Sequence, residues 1–314
     1  MTGMSAETVS ALLPLVAVLP LLFAGVAAVL PWAPVRVALS IGTPAGMAVV
    51  ACALLYRVME SGPIGHNVGG FPGGVSIPFV ADAFSLLMLG VASMVVFAGA
   101  WFAQVAGENK SRFFASLTLM MLAGMAGAFL TADLFNFFVF MEVMLLPSYG
   151  LIAVTGTWHR LAAGRSFVLV NLMTSTVLLI GVALVYGSVG AVNIALLAGS
   201  AAGGGPGAVA LGLVIIALSV KAGLAPVHTW LPRTYPSTSP AVMAIFSAVH
   251  TKVAVYMLFR IYVVIVDMDP SWQWPIIVLM AASMLLGAYA GLAESTMRRV
   301  LAYQMVNGMP FILV

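Results

Sequence analysis

Three charged residues lie where an apolar chain carries charge only for a reason. Lys221 and Lys252 sit inside apolar runs of the stretch from Gly212 to Arg260. Glu142 sits in LFNFFVFMEVMLLPSYGLI, roughly nine residues from either end of its run. The chain has only three lysines, the third being Lys110. A lysine at bilayer depth costs at least about 2.5–3.5 kcal/mol on insertion scales, so it needs a partner, water or a task. Pro226, Pro232, Pro236 and Pro240 fall between the two buried lysines, with His228 among them and His250 beside the second. Proline removes a backbone donor, and such breaks at membrane depth occur only where protein or a wet cavity satisfies the freed groups. The chemistry these residue types suit is proton carriage on a broken helix. A lone ionised carboxylate at the depth of Glu142 is disfavoured, so that residue is either protonated or paired with a cation, Lys221 being the natural candidate. A static salt bridge is the competing account of the same two residues.

The histidines extend the set. On a helix His250 and Lys252 lie about 200° apart, so only one of them points into a given polar path. Tyr256 and Phe259, four and seven residues on, share the Lys252 face, and Lys252 is taken as the path residue. His250 then meets a neighbouring helix or a second branch, or is a hydrogen-bonded packing histidine. His228, in the proline-rich break after Lys221, suits a relay. Arg260 lies near a helix end, where snorkelling or pairing accounts for it. Asp133 follows Thr131 at a helix start, where a capping role is expected.

The elements that must hold these groups are membrane helices. The chain has 314 residues, 63% of them hydrophobic and 7% charged, with the apolar runs recurring throughout. That composition excludes a soluble domain, and the scattered arginines give no nucleic-acid surface. The single cysteine, Cys52, lies in an apolar run, so there is no disulfide framework and no paired-cysteine redox or metal motif. Ten apolar segments are expected, at roughly 9–31, 35–58, 82–106, 112–130, 133–155, 164–188, 207–235, 240–266, 272–293 and 297–314, each near the length that crosses a bilayer. The first is read as a retained helix, because MTGMSAETVS lacks a basic leader. The Gly- and Pro-rich loop after the second segment has the makings of a short surface hairpin around Ile77 and Phe79, and GSAAGGGPGA reads as a flexible connection.

Basic residues set the expected orientation. Arg36, Lys110 and Arg112, Arg160 and Arg165, Arg233, and Arg298 and Arg299 all fall in alternate connections. The opposite loops carry Glu60, His66, Asp82, Asp133, Asp267 and Asp269, with Arg57 the exception. The positive-inside rule then puts the amino terminus outside and the basic loops in the cytoplasm. No nucleotide-binding loop, metal-ligating cluster or nucleophile with an adjacent base occurs, so no cofactor, no metal and no enzyme site are expected.

Three stretches carry a family resemblance: ADLFNFFVFMEVMLLPSYGLI, KAGLAPVHTWLP and HTKVAVYMLFR. They resemble the antiporter-like subunits shared by Mrp-type multisubunit sodium/proton antiporters and respiratory complex I, and most of all the D-type component of the Mrp antiporters. The likeness runs from roughly residue 80 onward. It implies an all-α polytopic fold with a broken seventh helix. Residues 1–110 would hold three amino-terminal helices, 111–266 a first five-helix repeat, and 267–314 the start of a second. The chain stops at Val314 inside its tenth segment, so the rest of that second repeat is missing from it, whether as a fragment of a longer protein or as a truncated chain. The resemblance also implies a proton route in which Glu142 controls the proton affinity of Lys221, with Lys252 beyond it; on the reading of the residues themselves, water and His228 or His250 connect the two lysines. The function so implied is a proton-translocating subunit of a sodium/proton antiporter in a bacterial plasma membrane, with other antiporter subunits, the lipid bilayer, protons and sodium as partners. The alternatives are a proton-pumping membrane subunit of a complex I-like or hydrogenase redox complex, and a structural or assembly subunit.

Overall fold

The computed structural model describes residues 5–154, 157–201 and 204–313. Every expected apolar segment is helical. The helices are α1 (Ala6–Leu12), α2 (Leu15–Val29), α3 (Ala33–Ser61), α4 (Ala83–Val105), α5 (Phe114–Leu130), α6 (Leu134–Ala153), α7 (Trp158–Val189), α8 (Pro206–Ala222), α9 (Trp230–Thr234), α10 (Pro240–Arg260), α11 (Pro270–Leu292) and α12 (Met297–Gly308). A π-helical turn, Ile261–Ile265, extends α10. The first segment divides into α1 and α2 at Pro14, and the seventh divides into α8 and α9. Seven helices are long and apolar enough to cross a membrane, and α5 and α8 are shorter apolar helices. The chain is a multi-pass membrane protein. At 1.5 Å per residue the 17 residues of α8 rise about 26 Å, short of a hydrocarbon core about 30 Å thick. The break ends that helix early.

Helix starts follow local chemistry. Asp82 accepts from the Ser85 amide while the Ser85 hydroxyl accepts from the Asp82 amide, a reciprocal box at the head of α4. Asp133 accepts from the Asn136 amide at 2.7 Å and caps α6, the role expected of it. Ser239 caps α10, with Pro240 at the first helical position. The loop after α3 folds into an antiparallel hairpin, β1 (Ile64–Asn67) against β2 (Pro78–Ala81), in the register Ile64 to Ala81. β2 also reaches the start of α6, where the Ala132 amide donates to the Pro78 carbonyl at 2.9 Å.

Two compact units divide the chain. The first comprises Met1–Val154 with Ala244–Val249, and the second Thr155–Met243 with His250–Val314. In the first, α2 and α6 pack on α5, and α3 packs on α4. The approach of α5 to α6 depends on two glycines. A β-carbon at Gly124 would lie 2.7 Å from the Met144 nitrogen and 2.8 Å from the Phe140 carbonyl oxygen, and one at Gly127 would overlap the Phe140 ring. Small residues let membrane helices come this close. In the second unit α7 packs on α8, α11 packs on α12, and the short α9 meets both α7 and α12.

Candidate functional site

Lys221 occupies the last turn of α8 and is 3% exposed. Gly223 follows in the left-handed region at φ +74°, which stops the helix, and its amide returns to the Ser219 and Val220 carbonyls. The lysine cation therefore stands at the negative end of a helix dipole, an arrangement worth about 0.3–1 kcal/mol and up to about 2 kcal/mol when partly buried. Its ammonium donates to the Ser175 hydroxyl at 2.9 Å, across to α7. Ser175 lies on the buried stripe of α7 that also carries Phe167, Asn171 and Thr174. Asn171 donates to the Phe167 carbonyl and Thr174 to the Val170 carbonyl, so these two polar side chains serve their own helix while Ser175 serves Lys221.

The break after Lys221 is satisfied by side chains. Trp230 Nε1 donates to the Val220 carbonyl at 2.9 Å. The Ala225 amide donates at 2.9 Å to the hydroxyl of Ser283 on α11, and that hydroxyl donates in turn to the Leu279 carbonyl. These two freed backbone groups are thus held by protein, as a break at membrane depth requires.

Both histidines border this region. His250 on α10 is buried, and its ring meets Phe167 edge-on with centroids 5.8 Å apart. Phe167 also contacts Trp230, with centroids 5.8 Å apart. Lys221 is near enough for its charge to act on His250. The structure thus brings Lys221, Ser175 and His250 together. His228 lies in the break itself, with its ring centroid 6.5 Å from that of Tyr303 on α12. Its Nδ1 is buried and has no hydrogen-bond partner among the described residues. Tyr303 lines a polar cleft of about 650 Å³ that also holds Arg233, Arg298, Arg299 and Glu294, with Arg299 paired to Glu294 at 3.4 Å. His228 therefore stands between the helix break and a polar cleft.

Lys252 is half-buried on α10, on nearly the opposite face from His250. Four residues on, Tyr256 is buried, and its hydroxyl accepts from Arg260 Nε at 3.0 Å while the guanidinium lies over the ring. Arg260 is thus bonded to a neutral tyrosine of its own helix. Glu142 belongs to the first unit, half-buried in the middle of α6 between the two residues that the α5 glycines contact, Phe140 and Met144. Tyr149 lies two turns on along the same face of α6. Among the described residues no three His, Cys, Asp or Glu side chains are placed to hold a metal ion.

Ser175, Ser283, Tyr303 and the glycines Gly124 and Gly127 do not stand out in the sequence as candidates. The glycines alone leave a signal there, a small-residue repeat three apart on an apolar helix.

Comparison with known proteins gives a consistent set. The family model described as "NADH:quinone oxidoreductase/Mrp antiporter, TM" matches residues 131–314. The chain is 32% identical over 275 residues to the D component of the Na⁺/H⁺ antiporter of Alkalihalophilus pseudofirmus, covering 86% of this chain and 56% of that protein. It spans about half the length of the curated relatives it matches. Among solved structures, a chain of the Mrp complex from a Dietzia species superimposes with a TM-score of 0.94 at 45% identity, covering 98% of this chain and 58% of that one. A chain of the membrane-bound sulfane sulfur reductase, an archaeal respiratory membrane complex, superimposes with a TM-score of 0.85 at 27% identity, covering 96% of this chain and 63% of that one.

Proposed function

Because the chain belongs to the NADH:quinone oxidoreductase/Mrp antiporter transmembrane family, we propose that it serves as a proton-translocating subunit of a multisubunit sodium/proton antiporter in a bacterial plasma membrane. The observation that carries this reading is Lys221, a buried amine at a helix break whose ammonium donates to the Ser175 hydroxyl. An amine in a low-dielectric site is a switchable proton carrier. Burial disfavours its charged form in general, and an approaching carboxylate favours that form. Glu142 is the carboxylate assigned to that switching, and the displacement of its helix is the event that loads and releases the proton. His250, beside Lys221, and His228, beside the polar cleft, are assigned as relay groups, with Lys252 as the next carrier. The other antiporter subunits are its proposed partners, and sodium coupling is assigned to the assembly.

Lysine-to-arginine exchange tests the carrier role. Arginine stays charged at every working pH, with an unperturbed pKa of about 12.5–13.8. It can replace a structural cation but cannot release a proton. Both Lys221→Ala and Lys221→Arg are expected to abolish antiport in membrane vesicles, followed with a pH-gradient dye, while blots show normal assembly. Wild-type transport by Lys221→Arg would make Lys221 structural and remove the route. The likeness to the sulfane sulfur reductase chain favours a second reading, the same proton chemistry driven by a redox partner. Purification of the assembly decides between them, because a redox complex carries iron–sulfur or quinone-binding subunits.

A further inference from the structure

We infer that a basic cleft in the first unit binds the phosphate of an anionic phospholipid. The cleft lies where the ends of α2, α3, α4 and α5 meet, has a volume of about 280 Å³, and is lined by Arg36, Lys110 and Arg112 with Ser111 and Asn109. That volume is at the small end for a ligand pocket and suits a headgroup. Three cations line the cleft and no Asp or Glu does.

The electrostatics there are unfavourable without an anion. Arg36 sits in the first turn of α3, and Arg112 precedes Phe113, the N-cap of α5. Both cations therefore stand at the positive ends of helix dipoles. Their offsets within the protein are neutral carbonyls. Arg36 Nη1 donates to the Leu30 and Pro31 carbonyls at 3.1 and 2.9 Å, and Arg112 Nη2 donates to the Ala28 carbonyl at 3.1 Å. These bonds fix the guanidinium planes and use part of their five N–H donors each. The remaining donors, with the exposed Lys110 ammonium, match the oxygens of a phosphate. Lys110 makes no hydrogen bond to any described residue.

The surroundings of the cleft select the source of that phosphate. Trp32, Val105 and Phe113 flank it and are 64%, 75% and 50% exposed. Exposed aromatic and apolar side chains beside arginines at the ends of apolar helices are the pattern of a bilayer interface. A soluble phosphate has no use for that rim, whereas acyl chains lie against it.

Lys110 permits a test that leaves the fold intact, since its side chain ties nothing together. The assembly containing this chain, in phosphatidylcholine nanodiscs, is titrated with phosphatidylglycerol, and bound lipid is counted by native mass spectrometry. A basic residue at an anionic surface is worth about 1 kcal/mol, or about fivefold in affinity. Wild type is expected to retain phosphatidylglycerol in preference to phosphatidylcholine. Lys110→Gln is expected to weaken that retention about fivefold and Lys110→Glu further, while Lys110→Arg restores it. Equal retention of the two lipids, or wild-type retention by Lys110→Glu, overturns the inference. Tighter binding of inorganic phosphate than of phosphatidylglycerol also overturns it, in favour of a soluble anion. The readout is lipid occupancy and not transport, so the result stands apart from the fate of the proton route.

Discussion

Ser175 offers the Lys221 ammonium a hydroxyl lone pair at 2.9 Å. A hydrogen bond to a charged group is worth about 1.5–3 kcal/mol, and 1.36 kcal/mol corresponds to one unit of pH. Ser175→Ala is therefore expected to displace the pH profile of antiport by about one unit or more, and Ser175→Thr to restore it. An unchanged profile in Ser175→Ala would make the contact incidental. Glu142 takes the complementary test. Glu142→Gln keeps the shape of the side chain and removes its charge, so antiport is expected to be lost while assembly is retained, and normal recovery of a pH-gradient dye would refute the switching role. The two residues differ in how legible they are. A carboxylate or lysine inside an apolar run announces itself by its cost, whereas a serine does not. Thr174, Thr176 and Ser188 on the same helix all donate to their own backbone carbonyls, and no feature of sequence sets Ser175 apart from them.

Elements are legible in the sequence because their signals are local. Length, apolar runs and prolines place each helix, and the Gly- and Pro-rich loop does form its hairpin around Phe79. What sequence does not contain is which glycines face a neighbour. Gly25, Gly42 and Gly46 have open space where a β-carbon would stand, while Gly124 and Gly127 meet α6 directly. The obstruction at Gly124 is backbone, which cannot swing aside as a side-chain tip can. Gly124→Ala is expected to push α6 away, at an overpacking cost of about 1–3 kcal/mol. Because Phe140 and Met144 bracket Glu142, the substitution is also expected to reduce antiport several-fold. Gly42→Ala serves as the control in open space. Thermal unfolding in detergent and vesicle transport report the two effects, and equal behaviour of the two variants would remove the role assigned to the close approach.

For the whole molecule, alternate connections carry the basic residues, and the proposed topology puts them in the cytoplasm. Cys52 is exposed, so labelling starts from a Cys52→Ser background. Cysteines introduced beside Arg160 and beside Asp267 are expected to react with an impermeant thiol reagent from opposite sides of the membrane. Reaction from the same side would break both the orientation and the segment count. The ten segments are legible because lipid imposes one rule on every span. The polar cleft beside Tyr303 is not, because it assembles arginines from α9 and α12, more than sixty residues apart in sequence.

The bond from the Ala225 amide to Ser283 gives the helix break a clock. That amide is buried, and its hydrogen is held by a hydroxyl from another helix. Its exchange for deuterium requires the bond to open, and under conditions where every opening leads to exchange the rate of uptake at Ala225 equals the rate at which the break and α11 part company. If each proton carried past Lys221 requires the break to rearrange, opening must be at least as frequent as turnover. Deuterium uptake at this one position, measured where each opening leads to exchange, therefore sets an upper limit on the speed of any cycle that works by moving the break, and a protein that transports faster than that opening rate must carry its protons through a break that stays shut.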